Sequence, residues 1–232
     1  MTYEAPVKDL MFNIAHIAPG EADLEMAAAV LEEFGRFCAE EIAPLNQPGD
    51  HAGSLCENGH VTTPPGFRAA YAKFVEMGWQ GLIHSSEYGG QDLPRTVGAA
   101  AGEILNAANM SFALCPLLTD GAIEALRHFG DTQMKETYLP RLVAGVWTGT
   151  MNLTEPQAGS DLALLRTRAE AQADGSYRIS GAKIFITYGD HDLAENIIHL
   201  VLARTPDAPK GTKGISLFLV PKFMVADDGS LG

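Results

Sequence analysis

Two short segments in the C-terminal half concentrate side chains able to grip a polar, planar ligand. Residues 150–161, TMNLTEPQAGSD, leave a predicted strand and bring together Asn152, Thr154 and Ser160. The two hydroxyls can donate and accept hydrogen bonds. Gly159 lets the backbone adopt positive φ and approach a ligand with no Cβ in the way. Pro156 stiffens the loop, and Asp161 can cap a following helical turn whose N–H groups favour a phosphate. Residues 183–192, KIFITYGDHD, read as a strand whose end gathers Thr187, Tyr188, Asp190, His191 and Asp192. Both segments also suit plainer roles, a strand-to-loop exit and a half-buried strand with a polar turn. From residue chemistry alone they define a candidate two-segment site.

Other chemistries lack their signatures. There is no GxGxxG after a strand, no GxxxxGK[ST], no HExxH, no Cys/His cluster and no GxSxG elbow. The histidines, His16, His51, His60, His84, His128, His191 and His199, are scattered.

The elements that must position these segments fall into two textures. Residues 23–45 read as a long helix, with Leu24, Ala27, Leu31, Phe34, Cys38 and Ile42 on one stripe. Asp23 is its candidate cap, and Pro44 and Pro48 bar its continuation. Residues 46–66 read as a surface loop. Helices are predicted over 66–77, 96–109, 118–129 and 131–143, with Gly78 closing the first and Asp131 capping the last. From Val146 onward, short β-branched and aromatic runs replace the helical period, at 146–153, 166–173, 176–180, 183–188, 197–203 and 215–220. Asp174-Gly175 is a two-residue hairpin signal. Helices first and antiparallel strands afterwards predict an α+β chain. Its domains would be a helical one over 1–145, with an N-terminal extension at 1–22, and a β-rich one over 146–232. The closing VADDGSLG reads as a turn out of a strand, so the β domain is expected to be incomplete within these residues.

Composition narrows the partners. The 232 residues carry 16 Lys and Arg against 29 Asp and Glu, a formal charge of −13. Such an acidic balance argues against a nucleic-acid backbone or an anionic membrane surface. The excess is concentrated in residues 1–145, which hold 8 basic and 19 acidic side chains, while residues 146–232 hold 8 and 10. Cys38, Cys56 and Cys115 fit neither a disulfide framework nor a metal or redox pair. With a polar N-terminus and no apolar run near the roughly 18–20 residues of a membrane span, a cytoplasmic protein is expected.

LTEPQAGSD resembles the signature of the acyl-CoA dehydrogenases, and KIFIT resembles their second flavin-contacting strand. GWQGLIHSSEYGGQDLP and FGDTQMKETYLPRLVAGVWTGTMNLTEP are similar to two further passages of that family, so the likeness runs from about residue 66 to the end. YEAPVKDLMFNI, CAEEIAPLNQPGD, VTTPPGFRAAY and GTKGISLFLVPKF are similar to one branch of long members, among them a dehydrogenase of a sulfur-containing acyl-CoA.

The resemblance implies a helical N-terminal domain, an antiparallel β-barrel-like middle domain, and a C-terminal four-helix bundle that this sequence does not contain. It implies FAD as cofactor, lined by Met151, Leu153, Thr154, Gly159, Ser160, Phe185, Ile186 and Thr187. Ser160 would also lie near the thioester substrate's pantetheine, and Thr187 near the flavin N5 edge. Phe185 stands where many relatives have Trp, and Gln157 where Gly is common. The implied reaction is oxidation of an acyl-CoA to its trans-2-enoyl-CoA, with a carboxylate taking the α-proton. The family's base is a Glu in or beside the bundle, so no catalytic residue is assigned here, and Glu155 belongs to the flavin motif. No metal is implied. Implied partners are the acyl-CoA, an electron-transfer flavoprotein or similar acceptor, and further copies of the chain in a homodimer or tetramer. Two other functions share these motifs: a flavin monooxygenase on the same fold, and a non-catalytic binding or assembly relative.

Overall fold

The computed structural model describes residues 3–18, 22–226 and 229–232. A short helix α1 (Val7–Phe12) precedes α2 (Leu24–Phe37). The Asp23 carboxylate caps α2, accepting from the backbone N–H of Glu25 and Met26. Ala27, Leu31 and Phe34 of the predicted stripe are packed inside, joined by Phe37, while Leu24 at the start of the stripe stands exposed.

The chain does not stop being helical at Pro44. A wide turn over Cys38–Ile42 and a tight one over Ala43–Leu45 lead into α3 (Asn46–Ala52). Pro44 sits in the first turn of its segment, where a missing N–H breaks no bond. The predicted loop at 46–66 is therefore an ordered excursion, completed by the hairpin β1 (Leu55–Glu57) and β2 (His60–Thr62). Asn58 and Gly59 turn that hairpin, both at positive φ, and Asn-Gly is the characteristic two-residue hairpin signal.

Helix α4 (Phe67–Glu76) ends at Gly78, whose φ of 73° reverses the chain. The two helices predicted over 96–109 and 118–129 are halves of one long element, α5 (Arg95–Phe129), broken at Asn109. There the backbone leaves helical geometry, and the Asn109 side-chain oxygen accepts from Phe112 N–H at 3.1 Å, starting the second half. Helix α6 (Thr132–Val143) is capped by Asp131 as predicted.

The second half is a sheet domain. Strand β3 (Trp147–Asn152) pairs with β6 (Asn196–Ala203), which pairs with β7 (Ser216–Pro221). Strands β4 (Arg168–Ala171) and β5 (Tyr177–Ser180) form a separate hairpin. Its turn is Ala173-Asp174-Gly175, one residue longer than the predicted two-residue turn, with Gly175 at positive φ and Gln172 N–H donating to the Ser176 carbonyl. Pairing is not antiparallel throughout: β3 and β6 run parallel, Thr150 opposite His199. The hairpin and the following segment carry the chain back to the starting end, which makes that crossover parallel. No closed barrel forms among the described residues. Residues 183–188 are not a strand, because Phe185 and Tyr188 both take positive φ (57° and 51°) and interrupt the ladder.

The two halves share a core. Ile123 and Leu126 of α5 and Leu139 and Leu142 of α6 pack with Trp147 and Ile198 of the sheet. Gly149 allows this close approach, since a Cβ there would lie 2.3 Å from the Ala122 Cβ. Among the described residues no helix is long and apolar enough to cross a membrane.

Candidate functional site

Strand β3 is the platform. Its Gly149 N–H donates to the buried Thr119 hydroxyl of α5 at 3.1 Å. On its other side Thr148, Thr150 and Asn152 alternate, a polar stripe that reaches toward the second segment. The strand ends by delivering Leu153 and Thr154 into the loop.

Glu155 organises that loop from within. Its side chain is 3% exposed and accepts from the backbone N–H groups of Arg166 and Thr167, the Thr167 hydroxyl, the Gln157 amide and Lys183 Nζ, the last at 2.9 Å. Burial by itself would raise its pKa. The donors outweigh burial, Thr167 foremost, and hold the carboxyl down at about 2. Glu155 is thus a permanent anion whose acceptor capacity is spent inside the fold, which unsuits it for proton abstraction. The Glu155 and Ala158 main chains bond reciprocally, at 2.9 and 3.0 Å, and the loop projects Gly159 and Ser160 into solvent. Asp161 caps a three-residue turn, Leu162–Leu164, through Ala163 N–H.

The second segment lies alongside. Lys183 Nζ donates to the Leu153 carbonyl, Ile184 N–H to the Thr154 carbonyl at 3.0 Å, and the Thr150 hydroxyl to the Thr187 carbonyl at 2.7 Å. The structure therefore brings the two predicted segments together. Phe185 stands 89% exposed beside them.

Asp190, His191 and Asp192, without a role in the sequence, are structural links. Asp190 pairs with Lys222 and accepts from His191 N–H. His191 Nδ1 accepts from Leu193 N–H at 3.1 Å, which puts the ring proton on Nε2, 2.9 Å from the Thr148 hydroxyl. Burial foremost, with Lys222 nearby, lowers the His191 pKa to about 4, so the ring is neutral. Asp192 accepts from both the N–H and the hydroxyl of Thr63, at 3.0 and 2.6 Å, tying the 46–63 excursion to the site. Burial opposes ionisation of Asp192, and the Thr63 bonds overcome it, leaving the pKa lowered.

Between that excursion and residues 186–191 opens a cleft of about 890 Å³, lined by Asn46, Thr63, Phe67, Ser111, Leu114 and Thr187 among others. Ile186 and Thr187 line it. Met151, Leu153, Thr154, Gly159, Ser160 and Phe185 lie outside its walls. Tyr188 and Asp192 belong to the predicted second segment without an assigned role; Thr63, and the part Thr150 plays in joining the segments, were not predicted. Thr150 had a signal, the Thr148-x-Thr150-x-Asn152 alternation in a strand with a buried partner face. The clasp spans 129 positions and leaves no local trace.

The remaining capacity suits a planar ligand with a polar edge. The hydroxyls of Thr154, Ser160 and Thr187 form no hydrogen bond within the described residues. A Cβ on Gly159 would meet only the Thr154 methyl, at 4.0 Å, so the backbone there is approachable. No group of three or more His, Cys, Asp and Glu side chains suited to a metal ion occurs among the described residues.

A helical domain leading into a sheet domain is the arrangement of one known class. Residues 25–146 match the acyl-CoA dehydrogenase N-terminal domain, and residues 150–229 match the acyl-CoA dehydrogenase middle domain. The chain belongs to the acyl-CoA dehydrogenase family. It is 57% identical to 3-methylmercaptopropionyl-CoA dehydrogenase of Ruegeria pomeroyi, over 99% of this chain and 41% of that protein. It is 39% identical to a butyryl-CoA dehydrogenase of Syntrophomonas wolfei, over 88% of this chain and 34% of that protein. The structure of butyryl-CoA dehydrogenase from Megasphaera elsdenii superposes with a TM-score of 0.71 at 25% identity, covering 88% of this chain and 49% of that one. The chain thus spans less than half the length of these relatives.

Proposed function

We propose that this chain forms the N-terminal and middle portions of an FAD-dependent acyl-CoA dehydrogenase, which converts an acyl-CoA thioester to its trans-2-enoyl-CoA. The observation that carries the reading is the union of the two segments through Thr150–Thr187 and Ile184–Thr154, which gives one surface to two motifs far apart in sequence. The unspent hydroxyls and the approachable Gly159 backbone fit FAD. When bound, FAD supplies hydride acceptance from the β-carbon.

The chain's own residues bind and orient. Met151, Leu153, Phe185 and Ile186 would offer FAD apolar contact, and the Thr154 and Thr187 hydroxyls would hydrogen-bond its polar atoms. Gly159 and Ser160 approach the pyrophosphate, Ser160 also the pantetheine of the substrate. Glu155 keeps the loop in shape and takes no proton. The base, a Glu in the family, lies beyond the regions matched here.

The similarity to the Ruegeria protein supports 3-methylmercaptopropionyl-CoA as the substrate type. An electron-transfer flavoprotein or similar acceptor would reoxidise the site, in a cytoplasmic homodimer or tetramer. The test is anaerobic: full-length protein reconstituted with FAD is mixed with acyl-CoAs of graded length, with and without a side-chain sulfur. Bleaching of the oxidised flavin band with enoyl-CoA formation is expected. No bleaching with any thioester, together with oxygen consumption by the reduced protein, overturns the reading in favour of a monooxygenase.

A further inference from the structure

Thr187 owes its position to a turn that its neighbours would not adopt unaided. Phe185 and Tyr188, at φ of 57° and 51°, are bulky residues in the left-handed region on either side of Ile186 and Thr187. Such backbone persists only where its surroundings over-determine it, and it clusters at functional sites. Gly189 N–H closes the turn on the Ile186 carbonyl at 2.9 Å.

Across the molecule, the Tyr188 hydroxyl donates to the Ser111 carbonyl at 2.7 Å, spanning 77 positions. Ser111 stands two residues beyond the break in α5, and its own hydroxyl donates to the Asn109 side-chain oxygen at 2.7 Å. The Tyr188 ring meets His191 edge-on, with centroids 5.5 Å apart. Burial pushes its phenol well above the usual range, so it remains a donor. The helix break thus supplies a fixed acceptor, and Tyr188 carries that fixity into the turn.

We propose that Tyr188 is a positioning residue, whose bond to Ser111 holds Thr187 and Ile186 at the cofactor edge of the site. This rests on the flavin reading above. Tyr188 acts through Thr187 and the turn, without itself touching the reacting atoms.

The test uses full-length protein and two variants. Tyr188→Phe keeps the ring and removes the donor. Tyr188→Asn suits left-handed backbone and is too short to reach Ser111, so it relieves strain while losing the same bond. In the FAD-free protein, amide exchange at Gly189, whose N–H closes the turn, is expected to rise about three- to tenfold in both, the worth of one hydrogen bond. FAD affinity should weaken by a similar factor, with a shifted circular-dichroism band of the bound flavin and kcat reduced more than KM. If either folded variant matches the wild type in amide exchange, FAD affinity and flavin band, the proposal is overturned. If the wild type bleaches with an acyl-CoA while a variant is identical to it, the functional reading stands and only the Tyr188 role falls. A wild type that takes up no FAD removes both.

Discussion

The Thr150 hydroxyl donates a 2.7 Å hydrogen bond to the Thr187 main-chain carbonyl, joining residues 37 positions apart. Thr150 is itself held in a strand that is pressed onto α5 through Gly149. The bond therefore transmits the helical half's rigidity to the loop that carries the second segment. A functional surface made of two loops needs such a strut, because loops alone keep too much conformational freedom.

Glu155 and Lys183 form a nearly buried pair at 2.9 Å, with side chains 3% and 10% exposed. Replacing Glu155 by Ala takes the counter-charge from the Lys183 ammonium and the carboxylate acceptor from four further donors, and is expected to cost about 3–5 kcal/mol of stability. Urea unfolding of the variant against the wild type measures it. The Glu155 pKa in the folded protein is about 2, against an ordinary 4.5. Its stabilisation is therefore full above pH 4.5 and drains as pH falls toward 2. Glu155→Gln should flatten that limb of the stability curve.

His191 acts in a higher window. Its folded pKa of about 4 lies below the ordinary 6.5, so the unfolded chain takes up the proton first. Stability that is complete above pH 6.5 is lost as pH falls toward 4. Histidine proton resonances followed by NMR should show His191 titrating near pH 4, and His191→Gln should remove this share of the pH dependence.

Gly149→Ala tests the joint between the halves. The added methyl would sit 2.3 Å from the Ala122 Cβ and 3.4 Å from the Thr119 Cα. Helix α5 must move away from β3, and a loss of about 1–3 kcal/mol is expected. Chemical denaturation monitored at Trp147, which lies in the shared core, reads it out.

The Thr63–Asp192 clasp should appear as coupling between distant positions. Asp192→Ala removes both hydrogen bonds to the carboxylate, and Thr63→Val removes the hydroxyl's bond while keeping the backbone one. A double-mutant cycle is expected to give about 1–3 kcal/mol of interaction. Additive single effects would show that the excursion does not lean on the site loop.

Local order was legible wherever short-range chemistry decides it. Asp23 and Asp131 cap the helices they precede, and Asp174-Gly175 turns its hairpin, because caps and turns are settled within three or four residues. Asn58-Gly59 carries the same local information, and it turns β1 into β2 with both residues at positive φ. Pro44 and Pro48 misled in the other direction, since proline stops a helix only where an N–H is needed.

By itself, the sequence determined that helices come first and strands after, the family through its ordered motifs, and the two segments proposed as the site. It also determined the imbalance of charge, which leaves the half carrying the motifs nearly neutral. Only the tertiary structure decided that residues 183–188 are a strained turn instead of a strand, and that β3 lies parallel to β6. It alone turned Glu155 inward, joined Thr150 to Thr187 and tied Thr63 to Asp192. The physical reason is separation. Apart from Gln157–Glu155, these bonds link groups 11 to 129 positions apart, so their donors and acceptors meet only when the tertiary fold brings distant segments together.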